Sequence, residues 1–104
     1  MAKIVWTEPA LRDLEIIVKY IAQDSPRYAE RVGRGIVQAP RILRDYPKVG
    51  RIVPEFNQDR VRELIFGAYR IIYEIKEGTC FIEAVLHSSR DLIRRYEPGA
   101  WEIT

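Results

Sequence analysis

The stretch VRELIFGAYRIIYEIKEGTCFIEAVLH, residues 61–87, decides the fold because apolar and polar residues alternate through three successive runs. Alternation in runs rich in Val, Ile, Tyr and Phe predicts β-strands. Gly67-Ala68 and Glu77-Gly78 interrupt the runs, and two-residue connections that contain glycine are typical of tight hairpins. The sequence therefore predicts three antiparallel strands, over Val61 to Phe66, Tyr69 to Lys76 and Thr79 to His87.

Two-residue turns also predict which residues face one another, and residues directly opposite on antiparallel strands share a face. The predicted pairs are Ile75 with Cys80, Tyr73 with Ile82, Ile71 with Ala84, Tyr69 with Leu86, Leu64 with Ile71, and Phe66 with Tyr69. These residues form one apolar face, which we expect helices to cover. The opposite face is mixed and collects Val61, Glu63, Ile65, Arg70, Ile72, Glu74, Phe81, Glu83, Val85 and His87. A sheet face of this kind indicates that something docks on it.

The N-terminal half has the pattern of a short strand followed by two amphipathic helices. We predict the strand from Lys3 to Trp6 and a helix over residues 8–23, where apolar residues recur at helical spacing behind Thr7 as cap and Pro9 in the first turn. Ser25-Pro26 begins a second helix, which we expect to kink or break near Pro40. Residues 46–60 are rich in turn formers and predict a loop.

Composition bounds the function classes. With 104 residues, 47% hydrophobic and 31% charged, the chain has the size and make-up of one globular domain spanning residues 1–104, and no apolar run approaches the ~20 residues of a membrane helix. The N-terminus lacks the pattern of a secretory signal, so we expect a cytoplasmic protein. One cysteine, Cys80, can form neither an internal disulfide nor a zinc site, and we expect no metal and no cofactor.

Positive charge is concentrated in the second helix and the segment after it. From Arg27 to Arg51 seven basic residues face two acidic ones, a local balance of +5, whereas the whole chain carries only +2. Thirteen of the seventeen cations are arginine, whose guanidinium suits bidentate contact with carboxylate or phosphate. The pattern favours an acidic partner, although a solvated helix face explains it equally well.

The segments YPKVGRIVPE, VRELIFGAYRIIYEI and AVLHSSRD, in this order, resemble the RelE/ParE superfamily of toxins from type II toxin-antitoxin modules, a group that includes plasmid-stabilisation toxins. The resemblance runs from about Trp6 to Tyr96. It implies an α+β fold of order β-α-α-β-β-β, with a helical hairpin on one face of an antiparallel sheet and the first strand beside the last three. It also implies a small cognate antitoxin that neutralises the toxin in a hetero-oligomer.

The superfamily divides by activity, and the resemblance leaves both branches open. RelE-like members cleave messenger RNA on the ribosome, so under that alternative the protein would be a metal-independent endoribonuclease. Its catalytic positions would be Arg70, Arg90 and Tyr96, which match those of the family. His87 is a weaker candidate for acid-base catalysis. ParE-like members inhibit DNA gyrase. The nuclease branch places lysines near the positions of Val61 and Glu63, so these two departures favour the ParE-like reading.

Three hypotheses therefore stand: a gyrase-binding toxin, a ribosome-dependent nuclease, and a module that binds its antitoxin without being toxic. For Arg70 a structural alternative is an ion pair with Glu63, Glu74 or Glu83 on the same sheet face. The residues predicted to contact a protein partner are Arg31, Arg34, Arg62, Ile65, Arg70, Ile72, Phe81 and Val85.

Overall fold

In the computed structural model, which describes residues 1–89, two helices cover one face of a five-stranded sheet. The elements in chain order are β1 (Lys3–Trp6), α1 (Glu8–Ala22), α2 (Pro26–Gln38), a 3-10 helix (Ala39–Arg44), β2 (Arg51–Ile52), β3 (Val61–Phe66), β4 (Tyr69–Lys76) and β5 (Thr79–His87). The sheet order is β1-β5-β4-β3-β2, with β1 parallel to β5 and the other pairs antiparallel. The predicted α+β fold, with the first strand beside the last three, is confirmed. The two-residue β2 lies where only a loop was predicted.

The helix boundaries follow from the caps predicted for them. The Thr7 hydroxyl accepts a hydrogen bond from the backbone N–H of Ala10, and the Ser25 hydroxyl accepts one from Tyr28 N–H at 3.1 Å. Each helix has proline in its first turn, where no intrahelical donor is lost. The expected break near Pro40 is also confirmed, since α2 ends at Gln38 and a 3-10 helix continues the chain. No helix within residues 1–89 is long and apolar enough to cross a membrane.

The sheet has an apolar core on each of its faces. Beneath the helices lies the larger core, built from Ala10, Val32, Ile36, Leu43, Ile71, Tyr73, Cys80, Ile82 and Val85. On the opposite face, called the outer face below, lies a smaller core of Val53, Val61, Ile72, Ala84 and Leu86, with Phe56 packed against it. Val53 and Phe56 belong to residues 53–60, called the covering segment below, which folds over β3 and β4. Part of the mixed face is therefore covered by the chain itself.

The predicted pairing of β4 with β5 is right in its first half and wrong in its second. Ile75 pairs with Cys80 and Tyr73 with Ile82, but a β-bulge follows, and Ile72 then faces Ala84 while Ile71 faces Val85. One extra residue, Glu83, shifts every later position by one, because side chains alternate along a strand. Ala84 and Leu86 consequently lie on the outer face.

The same bulge moves Val85 and His87 to the helix side, which corrects their predicted place on the outer face. Val85 is 2% exposed in the larger core, and His87 faces Tyr69 with the two rings in a T-shaped contact 5.6 Å apart. The carboxylate of Asp13 in α1, itself buried, accepts a hydrogen bond from Val85 N–H at 2.9 Å. That bond satisfies a backbone donor beside the bulge, so α1 and the bulge support each other.

Candidate functional site

Arg70 lies at the centre of a charged cluster on the outer face, with 8% of its side chain exposed. Its Nε donates to Glu63 Oε1 at 2.5 Å. Its two terminal nitrogens donate to the two oxygens of Glu55, at 2.7 and 2.9 Å. A bidentate arginine-carboxylate pair with a second carboxylate behind it is a strong, geometrically defined arrangement. Arg70 therefore has two carboxylate partners within its own chain.

The sheet register and the covering segment bring these groups together. Arg70 on β4 pairs with Ile65 on β3, and Glu63 lies two residues before Ile65, so its side chain is on the same face of the sheet as Arg70. Glu63 is fully buried, and its second oxygen accepts a hydrogen bond from Arg51 Nε. Glu55 comes from the covering segment. Both carboxylates thus use both of their oxygens on arginine.

The electrostatics of the cluster favour the charged forms of Glu55 and Arg70. The hydrogen bonds from Arg70 lower the pKa of Glu55 despite its partial burial, and the charge of Arg51 adds to the effect. The hydrogen bond to Glu55 likewise raises the pKa of Arg70 above its already high value. Because opposite charges and hydrogen bonds favour the ionised forms, the Glu55–Arg70 pair stays charged at neutral pH.

A second group of charges lies farther along the outer face. Glu74 is completely buried, and Arg60 Nε donates to its Oε2 at 2.8 Å. Burial raises the pKa of Glu74, and burial together with the charge of Glu74 raises the pKa of the nearby Glu83. These two carboxylates are less well compensated than those around Arg70.

The basic side of α2 forms a third surface. Arg27, Arg31 and Arg34 are exposed and line a depression of about 530 Å³ together with Glu30, Gly35, Gln38 and Phe66. Glu30 pairs with Arg34 one turn away. The ring of Phe66 lies directly beneath Gly35, where a Cβ would come within 2.0 Å of it. The depression therefore combines an apolar floor with a rim of guanidinium groups.

The residues predicted to bind a partner lie in different environments. Arg31, Arg34 and Ile65 are exposed, and Phe81 is partly buried. The Arg62 guanidinium is held by Asp59 and by the backbone carbonyls of Lys48 and Gly50. Ile72 and Val85 are 0% and 2% exposed, so they lie in the cores and offer no surface to a partner. Partner contact at the other positions stays a prediction.

The residues of the nuclease hypothesis are only partly within the described chain. Arg90 and Tyr96 lie outside the described residues. His87 is exposed at the end of β5 on the face opposite Arg70, where Ser89 N–H donates to its Nδ1 at 3.1 Å. His87 and Arg70 therefore do not form a common site.

Sequence reasoning missed Glu55, Arg51 and Arg60, which complete the two charged groups. All three lie in or beside the irregular segment between the helices and β3, where no periodicity assigns a side chain to a face. The charge balance of the outer face was the one signal that could have indicated them. Glu63 and Glu74 both need a cation nearby, and Arg70 alone cannot pair with both.

Comparison with known proteins gives the family. A family model described as the ParE toxin of type II toxin-antitoxin systems, parDE, matches residues 4–92. The chain is also similar to Toxin RelE2 of Caulobacter vibrioides, at 36% identity over 91 residues that cover 86% of this chain and 99% of that toxin. The chain belongs to the ParE toxin family. As a member of this family it is a toxin of the type II toxin-antitoxin class.

Solved structures agree with the fold of this ParE-family toxin. The chromosomal ParDE system from P. aeruginosa superposes with a TM-score of 0.70 at 22% identity, covering 84% of this chain and 96% of that one. The RelBE2 toxin-antitoxin complex from Mycobacterium tuberculosis gives a TM-score of 0.53 at 24% identity, covering 83% and 96%. At these identities the likeness concerns the fold alone.

Proposed function

We propose that this ParE-family toxin arrests bacterial growth by binding DNA gyrase in the cytoplasm, without cleaving RNA, and that a cognate antitoxin neutralises it by direct binding. The observation that carries the proposal is the saturation of Arg70 by Glu55 and Glu63. A toxin of this kind needs a rigid surface for its target, with no catalytic group. Stable inheritance of the plasmid or chromosomal region that encodes it would follow from such an activity.

The Arg70 cluster argues against phosphate chemistry at this position. Cleavage of RNA through its 2′-hydroxyl requires donors that hold the charge developing on phosphorus. The Nε and both terminal nitrogens of Arg70 already donate to carboxylates, and two negative charges lie within hydrogen-bond distance of it. A phosphate would have to displace Glu55 and would still be repelled by Glu63, which is buried against the same guanidinium.

Val61 and Glu63 on β3, near the positions where the nuclease branch has lysines, also argue against RNA cleavage. Val61, near one of the positions where the nuclease branch has lysine, is 0% exposed in the outer core. Glu63, near the other, is buried between Arg51 and Arg70. Neither position presents a cation to a substrate. Both are used instead to build the outer face.

The alternative function is ribosome-dependent cleavage of messenger RNA with Arg70, Arg90 and Tyr96 in catalytic roles. The similarity to a toxin named RelE2 favours it. The two functions differ in what they require of Arg70, because a binding toxin needs it only for structure. A third possibility, a non-toxic module that binds its antitoxin, requires neither target.

For the antitoxin we propose an acidic segment that docks on the basic side of α2. Arg27, Arg31 and Arg34 surround the apolar floor at Phe66, and an amphipathic acidic helix would pair its carboxylates with them while burying apolar side chains in the depression. Such a complex is a hetero-oligomer. Its affinity should fall with rising salt, since exposed charges are screened.

Two assays on the purified toxin test the target. We expect it to inhibit gyrase supercoiling or to trap cleaved DNA, and we expect no codon-position cuts in ribosome-bound messages after induction without antitoxin. Unchanged gyrase activity together with such cuts would replace the proposal with the nuclease function. Harmless expression at a confirmed protein level would favour the non-toxic module.

A further inference from the structure

The part of the outer face on β4 and β5 contains a buried carboxylate that is only half satisfied. Glu74 lies on β4 with a side chain that is 0% exposed. Its Oε2 accepts a hydrogen bond from Arg60, but its Oε1 has no hydrogen-bond partner within residues 1–89. An unsatisfied buried oxygen of a charged group is costly, because its hydration is lost and nothing replaces it.

Glu83 supplies a second carboxylate to this part of the sheet. Glu83 is the extra residue of the bulge, partly buried, and its carboxylate makes no hydrogen bond or ion pair with any part of the chain that the structure describes. Glu83 follows Phe81, the cross-strand neighbour of Glu74, by two residues, which puts it on the same face of the sheet, and burial together with the charge of Glu74 raises the pKa of Glu83. Arg60 compensates one of these two negative charges, and Lys76 acts on Glu74 from the end of β4.

An aromatic ring and an apolar edge complete the site. Phe81 pairs with Glu74 across β4 and β5 and lies two residues before Glu83, so the register places it beside both residues. On the other side, Val5 of β1 pairs with Phe81 and is 40% exposed. The covering segment packs on the outer core and leaves Val5 and Phe81 outside that core.

We propose that Glu74, Glu83 and Phe81 form the binding site for one arginine side chain of the antitoxin. The inference rests on the proposed function, since it names a contact in the neutralised complex. A guanidinium is flat and has five N–H donors, so it can stack on the Phe81 ring while donating to both carboxylates. Because Glu83 is less buried than Oε1 of Glu74, the arginine meets Glu83 first and then Glu74.

The chemistry favours a guanidinium over a metal ion. Within residues 1–89 no third histidine, cysteine, aspartate or glutamate joins Glu74 and Glu83 in a group that could hold a metal, whereas Ca²⁺ takes six to eight oxygen ligands. The apolar edge at Val5 and Phe81 suits the methylene chain of an arginine. In this contact the toxin supplies the carboxylates and the antitoxin the cation, whereas in the contact proposed on α2 the toxin supplies the cations. The antitoxin would therefore carry acidic residues for α2 and an arginine for β5.

The test is the dissociation constant of the purified toxin-antitoxin complex for Glu83→Gln, with Glu77→Gln as the matched control. Glu77 is an exposed carboxylate in the turn between the same two strands. We expect Glu83→Gln to weaken binding about 10-fold and Glu77→Gln to leave it unchanged within about twofold, since a charged pair at a partly buried site is worth about one decade. Equal affinity of the two variants would overturn the proposal.

A charge exchange identifies the partner residue. Glu83→Arg should weaken the complex further, and one arginine-to-glutamate substitution in the antitoxin should restore the affinity toward that of the original pair. If no single substitution restores it, or if Glu83→Gln also lowers the thermal midpoint of the free toxin, the role of Glu83 is structural and the proposal fails. If instead Arg94→Ala combined with Arg95→Ala in the toxin abolishes the effect of Glu83→Gln, the occupant is the toxin's own chain, which also overturns it.

Failure of this inference can be distinguished from failure of the proposed function. Growth arrest by the toxin and its relief by co-expressed antitoxin report the function. The affinity ratio between Glu83→Gln and Glu77→Gln reports the arginine site alone. A toxic, antitoxin-neutralised protein with no affinity difference between these variants would retain its function and lose only the site.

Discussion

The two halves of the outer face differ in how completely their carboxylates are satisfied. In the half over β3 and β4, both oxygens of Glu55 and both of Glu63 accept hydrogen bonds from arginine. In the half over β4 and β5, Oε1 of Glu74 and the carboxylate of Glu83 accept none within residues 1–89. A group of charges that is satisfied internally serves the fold, whereas an unsatisfied one can gain hydrogen bonds from a partner. The difference separates a structural cluster from a candidate binding site.

Of the substitutions considered, removal of Arg70 should destabilise the toxin most, because it disrupts the satisfied half of the outer face. Arg70→Met leaves Glu55 and Glu63 facing each other without their shared cation, and we expect a loss of about 3 to 5 kcal/mol in the free energy of unfolding. Chemical denaturation measures it, with the exposed Arg34→Met as control at less than about 0.5 kcal/mol. Equal losses in the two variants would mean that the Arg70 cluster is not structural.

Neutralising Glu55 should have a smaller effect that depends on pH. Glu55→Gln removes the bidentate pair and should cost about 1 to 3 kcal/mol at neutral pH. Because Arg70 holds the pKa of Glu55 below its unfolded value, this stabilisation is present above the unfolded pKa and is lost as pH falls through the folded one. The difference in unfolding free energy between wild type and variant should therefore shrink below about pH 4. A difference that is constant with pH would contradict it.

A glutamate-to-glutamine substitution in the other half, Glu83→Gln, should change the free energy of unfolding in the opposite direction. Burial and the charge of Glu74 raise the pKa of Glu83, so the ionised group opposes folding. A raised carboxylate pKa gives stability that is present below the unfolded pKa and lost as pH rises through the folded one. Glu83→Gln should thus stabilise the free toxin at pH 7 by less than about 1 kcal/mol and have no effect in acid. Thermal unfolding at both pH values checks it, and destabilisation at pH 7 would contradict the comparison.

Local pattern was enough to predict the strands, turns and caps. The three runs of residues 61–87 form strands with the predicted bounds, and Glu77 and Gly78 both adopt positive φ, 48° and 77°, as a tight hairpin requires. These features depend on residues adjacent in sequence. Alternation also placed Arg70 and Glu63 correctly on one face.

Features set by distant contacts were not predicted. The bulge at Glu83 has no glycine or proline to mark it, and the backbone donor beside it is satisfied by Asp13, 72 residues away. Glu55 lies 15 residues before Arg70 in a segment without periodicity, so no rule of spacing joins the two. Because the bulge was not predicted, the sheet faces predicted for Ala84, Val85, Leu86 and His87 were wrong. Because the segment around Glu55 has no periodicity, the predicted Arg70 cluster lacked Glu55.

The most direct test of the proposal that Arg70 serves structure and not catalysis is growth arrest by the variant that combines Glu55→Gln, Glu63→Gln and Arg70→Met. Neutral side chains of similar size replace the ionic cluster, and such replacements are often neutral for stability. We predict that the folded, antitoxin-binding variant still arrests growth when induced, with no codon-position cuts in ribosome-bound messages from either protein. A folded variant that no longer arrests growth, together with cuts by the wild-type toxin that the variant lacks, would contradict the account.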